Sequence, residues 1–433
     1  MFTQVNCKFS FQNCYICNEM KPDIRIEDFT YPLPEGRIAR FPLPNRDDSK
    51  LLVYTKSAGE SPVSSQFKEI ARFLPADALM VFNETKVVPA RMLFQRPTGA
   101  IIEIFCLEPA DPSDYQLSFA QTASCSWKVI VGNLKKWKGE RLSLCNPEND
   151  PVIAAVGLEA SLVENNGKSC IVSFSWRSGE SFSQVMGHCG RIPIPPYLKR
   201  ETQEIDLTRY QTCYALREGS VAAPTAGLHF TEREFAQIDA RGIVREKLCL
   251  HVGAGTFLPV KSEKIADHTM HSEPFEVSLA FLKKVRAACG GPLIAVGTTS
   301  TRCLESLYYL GVHCIERGAP GVVQQWEPYR DEGYSVSTEE ALDALIAYVE
   351  HSGKAKLLSR TQIIIVPGFR FRLVNNLVTN FHQPQSTLLL LIAAFIGPAW
   401  RQLYDFALAH DFRFLSYGDS SLLEKRSLTD QNE

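Results

Sequence analysis

Five of the nine histidines, His229, His251, His268, His271 and His382, fall in segments rich in Gly, Pro or Thr, where small residues let a backbone approach a ligand closely. An imidazole placed there acts as a general base near neutral pH, or holds a polar group as donor and acceptor. His268-Thr-Met-His271-Ser-Glu273 offers two imidazoles and a carboxylate, the ligand types of a zinc hydrolase. Its spacing is not that of the helical HExxH, with its histidines four apart on one face and the acid between them. Polar contacts lining a substrate cleft are the better reading, and no metal is expected. Gly253-Ala-Gly255 imitates the turn of a Rossmann methyltransferase, but Pro259 and the β-type residues around it cannot open the helix that this turn requires. Thr298 and Thr299 with Arg302 suit a carboxylate or a phosphate through backbone donors and a guanidinium. The competing reading pairs Arg302 with Glu305.

Elements that position these groups are marked by local punctuation. Thr231-Glu-Arg-Glu234 is a capping box that opens a helix closed by Gly242, so His229 is aimed by a fixed helix end. Residues 292–296 read as a short buried strand, residues 297–301 as a tight loop and residues 302–310 as a helix. A further helix is capped by Thr338 and runs to Gly353, with Ala341, Leu342, Leu345, Ile346 and Val349 on one face. Upstream, residues 66–74 have helical spacing and lead through Pro75 into the apolar strand 79–82, an α/β unit. Between about residues 93 and 190 the texture changes to short β-rich runs broken by Asn, Gly, Pro and Ser, as in an antiparallel sheet. The α/β texture resumes after Pro196, so the middle third is an all-β domain inserted into an α/β domain.

A chain of 433 residues, 45% hydrophobic and 22% charged, has room for two domains and the composition of a folded enzyme. The longest apolar run, residues 388–396, is nine residues, well short of the roughly 20 that span a membrane; it reads as a buried helix. The first 20 residues have one Lys and no long apolar stretch, so a secretory signal is not expected, and the 13 cysteines follow no disulfide rhythm. A monomeric cytoplasmic enzyme without membrane contact is expected. Cys14-Tyr-Ile-Cys17 lacks the second pair that a zinc site needs, so residues 1–27 read as a disordered leader, with Met20 as an alternative start. A net charge of −2 gives no basic domain, which limits RNA contact to local patches. The candidates are Lys135, Lys136 and Lys138 around Trp137, and the pair Lys199-Arg200.

GSVAAPTAGLHFT at 219–231, HVGAGTFLPV at 251–260, HTMHSE at 268–273, AVGTTSTRCLES at 295–306, VPGFRF at 366–371, TNFHQPQSTLLLL at 379–391 and FRFLSYGD at 412–419 stand in this order. They closely resemble the motifs of the S-adenosylmethionine:tRNA ribosyltransferase-isomerase family of queuosine biosynthesis. DFTYPLP at 28–34, RDDSKLLV at 46–53, NETKVVPARM at 83–92, and IPIPPYLKR with RYQTCYA within 192–215 extend the resemblance from Asp28 to about Leu423. Three departures stand out. Asn375 replaces the family's usual Asp, Gln383 replaces an apolar residue, and the stretch 313–359 is longer than the family norm and reads as a decoration.

The resemblance implies an enzyme that uses S-adenosylmethionine (AdoMet) as a ribosyl donor. The acceptor would be the amine of 7-aminomethyl-7-deazaguanine at the tRNA wobble position, the product epoxyqueuosine-tRNA, with adenine and methionine released. His229 ranks first as the base, because the capped helix fixes it, with His251 and His382 as alternates. Thr225, Gly227, Gly253, Gly255, Thr256, His271, Glu273, Thr298, Thr299, Arg302 and Asn380 would hold AdoMet or the acceptor. Lys135, Lys136, Lys138, Lys199 and Arg200 would meet tRNA, and Phe230, Phe381 or Tyr417 would stack on an unstacked base. The fold expected is two-domain α/β, a larger barrel-like α/β domain (residues 28–92 and 191–433) interrupted by an antiparallel β-barrel (residues 93–190).

Overall fold

Apolar strands without polar alternation must be covered on both faces. Leu79–Asn83, Leu293–Val296 and Asn376–Asn380 are buried at every position. In the computed structural model, which describes residues 21–59, 61–167, 169–253, 260, 262–330 and 335–426, these three join Val244–Leu250 as the parallel centre of a ten-stranded mixed sheet. Glu273–Ser278, Lys356–Thr361 and Val322–Val323 extend one edge; Ser420–Glu424, Lys50–Tyr54 and Val63–Gln66 extend the other. The four parallel strands point one way, so Asn83, Leu250, Val296 and Asn380 end along one side of the sheet. Ligands of α/β proteins bind outside such carboxyl ends.

The expected inserted barrel is present. Arg91–Gln95, Ile101–Asp111, Ser124–Gly132, Leu142–Leu144, Glu159–Asn165 and Cys170–Ser175 close into a six-stranded antiparallel barrel. Burial alternates along Cys170–Ser175, as a barrel with a filled interior requires. The chain enters and leaves side by side: Arg91 and Arg191 exchange backbone hydrogen bonds of 3.2 and 2.8 Å.

The capping box at Thr231 forms as expected, with Glu234 Oε2 accepting from the Thr231 amide at 2.9 Å and from its hydroxyl at 2.6 Å. The expected loop 297–301 is instead the start of a 20-residue helix, Thr298–Arg317. Gly297, at φ +91°, turns the chain from strand to helix in a single residue. The later helix, Thr338–His351, is capped by Ser337, one residue ahead of the expected Thr338. Ala341, Leu342, Leu345 and Val349 are in the main core, and a Cβ on Gly311 of the long helix would run into the Ala341 backbone. The apolar run becomes the helix Thr387–Ile396, buried from Leu389 onward. Among the described residues no single helix is long and apolar enough to cross a membrane.

The leader's Cys14, Cys17 and Met20, like Gly255 and Thr256, lie outside the described residues. The end of the expected leader is packed: Ile26 opens a short turn, Ile26–Phe29, and is buried with Val260, Ile265 and Trp326.

Candidate active site

Loops at the carboxyl ends of the parallel strands form a cleft. Residues 222–226, 297–299 and 379–383 line it, together with Ser386, Thr387, Tyr197, Tyr210 and the Leu415-Ser416 turn. No Lys, Arg, Asp or Glu is among these described lining residues. The fixed charge of the cleft therefore comes from the helices that start there. Thr298–Arg317 has no side-chain cap, while Ser386 caps Thr387–Ile396 through the Leu389 amide at 3.2 Å. Both N-termini present partial positive charge, which favours an anionic group such as a carboxylate. Ser300 and Thr301 turn their hydroxyls back to Val296 O and Gly297 O, at 2.8 and 3.2 Å, and so leave Thr298 and Thr299 facing the cleft.

Six of the expected residues meet here: Thr225, Thr298, Thr299, Asn380, Phe381 and His382. His382 stands two residues past the end of the strand Asn376–Asn380 and is clamped from two sides. Its amide donates to the Tyr404 hydroxyl at 3.0 Å, and its carbonyl accepts from the Tyr31 hydroxyl at 2.5 Å. Thr379 Oγ1 holds Nε2 at 2.9 Å, and Nδ1 makes no hydrogen bond among the described residues. Burial pulls its pKa down to about 3, so the ring is uncharged at neutral pH.

His229 lies behind the cleft wall. Ser49 Oγ sits 2.9 Å from its Nδ1, Asn380 Nδ2 sits 3.1 Å from its Nε2, and Phe67 covers the ring at 5.0 Å. Burial, with help from the Arg413 and Arg46 charges, lowers its pKa to about 3. Both ring nitrogens are occupied, a poor arrangement for the base that the sequence ranked first. Gly227 belongs to the same turn, Thr225–His229, and is glycine for space: a Cβ there would collide with the Tyr214 hydroxyl.

His251 lines a second groove, between the barrel and the sheet. Asn83 fixes the strand end before it, donating to Leu250 O at 2.9 Å and accepting from Leu250 N at 3.0 Å. The imidazole stacks on Tyr115, with ring centroids 4.1 Å apart, and a Cβ on Gly219 would come within 2.6 Å of it. Burial lowers its pKa to about 4.

Gly253, Glu273 and Arg302 form a separate buried cluster. Arg302 pairs with Glu273 rather than with the alternative Glu305, and its Nε donates to Ile363 O at 3.0 Å. Glu305 instead accepts from the amides of Arg372, Leu373 and Val374 at 2.8, 3.1 and 2.8 Å. Gly253 N donates to Glu273 Oε1 at 3.4 Å. Arg302 is thus one turn beyond the cleft lining, and Glu273 is committed elsewhere than to His268 and His271. Asn375, where the family usually has Asp, bridges Leu293 N and Gly291 O at 2.7 and 2.9 Å, a structural clamp between strands.

The RNA candidates divide. Lys135, Lys136 and Lys138 are exposed around the buried Trp137. Lys199 pairs with Glu35 at 3.1 Å, and Arg200 is held by both oxygens of Asp206 at 2.7 Å and lies over Phe41. Phe230, Phe381 and Tyr417, expected to stack on a base, are buried in aromatic packing. Several site-building residues carried no local signal. Ser49 and Thr379 hold histidines, and the Tyr197 hydroxyl pins Ser416 at 2.5 Å. All three lie in segments that carry the resemblance, RDDSKLLV, TNFHQPQSTLLLL and IPIPPYLKR.

Comparison with known proteins bears on what this cleft serves. Residues 26–423 match the profile of the family described as queuosine biosynthesis protein. A relative from Halothermothrix orenii named S-adenosylmethionine:tRNA ribosyltransferase-isomerase is 36% identical over 405 residues, covering 92% of this chain and 100% of that protein. One of the same name from Legionella pneumophila is 37% identical over 402 residues, covering 92% and 99%. A solved structure of an S-adenosylmethionine tRNA ribosyltransferase from Thermotoga maritima aligns at 25% identity over 92% of this chain and 99% of that one, with a TM-score of 0.43.

Proposed function

This chain belongs to the queuosine biosynthesis protein family, and from that membership we propose that it is an S-adenosylmethionine:tRNA ribosyltransferase-isomerase. It moves the ribosyl part of AdoMet onto the amine of 7-aminomethyl-7-deazaguanine in tRNA and rearranges it to epoxyqueuosine. Adenine and methionine leave, and the amine nitrogen gains the bond to the ribosyl-derived carbon.

The cleft is the AdoMet site in this reading. The observation that carries it is an uncharged cavity at the strand ends, flanked by two helix N-termini and lined by an imidazole with an unbonded nitrogen. The methionine carboxylate suits the uncapped start of Thr298–Arg317, where Thr298 and Thr299 supply donors. The sulfonium acidifies the neighbouring C5′ hydrogens, so a base must stand within hydrogen-bond reach. His382 is the base of this reading, because it lines the cleft and Thr379 orients its ring while Nδ1 stays open. The barrel, with Lys135, Lys136 and Lys138, is the face assigned to tRNA.

The test incubates the protein with AdoMet and an anticodon stem-loop that carries the deazaguanine amine, and measures free adenine. RNA-dependent release is expected; its absence overturns the reading.

A further inference from the structure

The hydrogen bonds around Asn380 fix the orientation of its amide. One side-chain atom lies 3.3 Å from Leu415 O. A carbonyl oxygen only accepts, so that atom is the amide nitrogen. The same Nδ2 donates to His229 Nε2 at 3.1 Å, which makes Nε2 the unprotonated nitrogen. Nδ1 therefore carries the ring hydrogen and donates to Ser49 Oγ at 2.9 Å. Every bond in the chain Asn380, His229, Ser49 has one direction. Leu415 reaches its place at φ +70°, a left-handed conformation costly for a residue with a Cβ and typical of functional sites.

The consequence falls on the remaining atom. Asn380 is 3% exposed and lines the cleft, yet its Oδ1 has no hydrogen-bond partner among the described residues. A buried acceptor left unpaired is unfavourable, and such groups persist where a ligand completes them. His229 does not line the cleft, and both of its ring nitrogens are spent on Ser49 and Asn380.

We infer that Asn380 Oδ1 is a specificity-determining acceptor for an N–H or O–H donor on the nucleoside part of AdoMet, and that His229 is a positioning residue that holds this amide in its productive orientation. Two groups of the nucleoside have the required chemistry, the exocyclic amine of adenine and a ribosyl hydroxyl. The inference rests on the assignment of the cleft to AdoMet.

The experiment measures AdoMet binding by calorimetry and adenine release over a range of pH. Wild-type protein that does not bind AdoMet overturns the cleft assignment itself. Given binding, Asn380→Ala is expected to weaken it about tenfold, the worth of one well-placed hydrogen bond. His229→Phe should weaken binding similarly. His229→Gln, whose carbonyl accepts from Asn380 and whose amide donates to Ser49, should recover most of the affinity and keep the wild-type pH profile of kcat. With wild-type protein, an analogue bearing a 6-oxo group in place of the amine loses affinity if the amine is the donor, and a deoxyribosyl analogue loses it if a hydroxyl is. Unchanged affinity with both analogues overturns the acceptor role, as does unchanged binding by Asn380→Ala. A His229→Gln protein that binds AdoMet normally but loses turnover and one limb of the pH profile makes His229 a proton-transfer group and overturns the positioning role.

Discussion

His382 and His251 each stand just past the end of a parallel strand, in motifs equally rich in small residues, yet their surroundings are opposite. His382 has hydroxyls and one amide around it, no charged side chain lines its cleft among the described residues, and one ring nitrogen is open. His251 is stacked on Tyr115 with Thr85 Oγ1 at 3.4 Å from its Nδ1 and Cys249 Sγ at 3.7 Å from its Nε2, and in its groove Glu218 pairs with Lys86 at 3.0 Å, Glu276 with Lys356 at 2.8 Å and Arg360 with Glu108 at 2.9 Å. A group is available to a substrate only where the protein has left its neighbourhood unspent. The cleft meets that condition and the groove does not.

The most direct way to break this contrast is by turnover. His382→Ala should lower RNA-dependent adenine release by about 10²–10⁴-fold, the usual contribution of a general base. His251→Ala should lower it less than about tenfold, because its ring nitrogens are already engaged with Thr85 and Cys249 and the change removes chiefly packing against Tyr115. Single-turnover rates with both substrates saturating separate the two. Equal losses, or a larger loss at His251, would move the chemistry to the groove.

Acid stability sharpens the comparison in another way. The rings of His229 and His382 are held near a pKa of 3 and that of His251 near 4, all by burial. The unfolded chain, with histidines near 6.5, binds these protons first, so the stability from neutral rings is complete above about pH 6.5 and is lost as the pH falls toward the folded values. By pH 5 each ring costs about 2 kcal/mol. Cleft and groove separate only lower down, where His251 begins to charge inside the fold and the other two do not. Urea midpoints at pH 7 and pH 5 measure the sum, and His382→Gln should remove about 2 kcal/mol of the difference. Midpoints that do not change with pH would mean that these rings are charged or exposed in solution.

Much of the scaffold was legible because its signals are local. The Thr231 to Glu234 capping box, the buried strand ahead of Gly297 and the alternating strands of the barrel are written within a few residues. The first turn of Thr298–Arg317 was hidden because Thr and Ser are weak helix formers, and Gly297 made a separate loop unnecessary. The site was less legible, since its bonds are long-range. Ser49 and His229 are 180 residues apart and His229 and Asn380 are 151 apart, so no spacing pattern joins them. Arg302 had a tempting partner at Glu305 on its own helix, but three backbone amides claim that carboxylate. Arg302 reaches across to Glu273 instead.

The smallest expected effect concerns the barrel side of the comparison. Lys135, Lys136 and Lys138 are exposed, and no hydrogen bond or ion pair holds their ammonium groups among the described residues. Lys199 and Arg200, the other basic pair, are already engaged with Glu35 and Asp206. Free surface ammonium groups bind phosphates by releasing counterions, a contribution that salt weakens and that carries no sequence information. Replacing the three lysines together by Gln should raise the Kd for tRNA a few-fold at about 0.15 M salt. It should also flatten the salt dependence, by up to about 0.9 of a log unit for each phosphate that is no longer neutralised. AdoMet affinity and saturated turnover should not change, because the cleft contains none of these residues. Binding titrations at three salt concentrations read both quantities. An unchanged slope would remove this patch from the tRNA path and leave the barrel without an assigned role, whereas a loss of AdoMet binding would show that barrel and cleft are coupled.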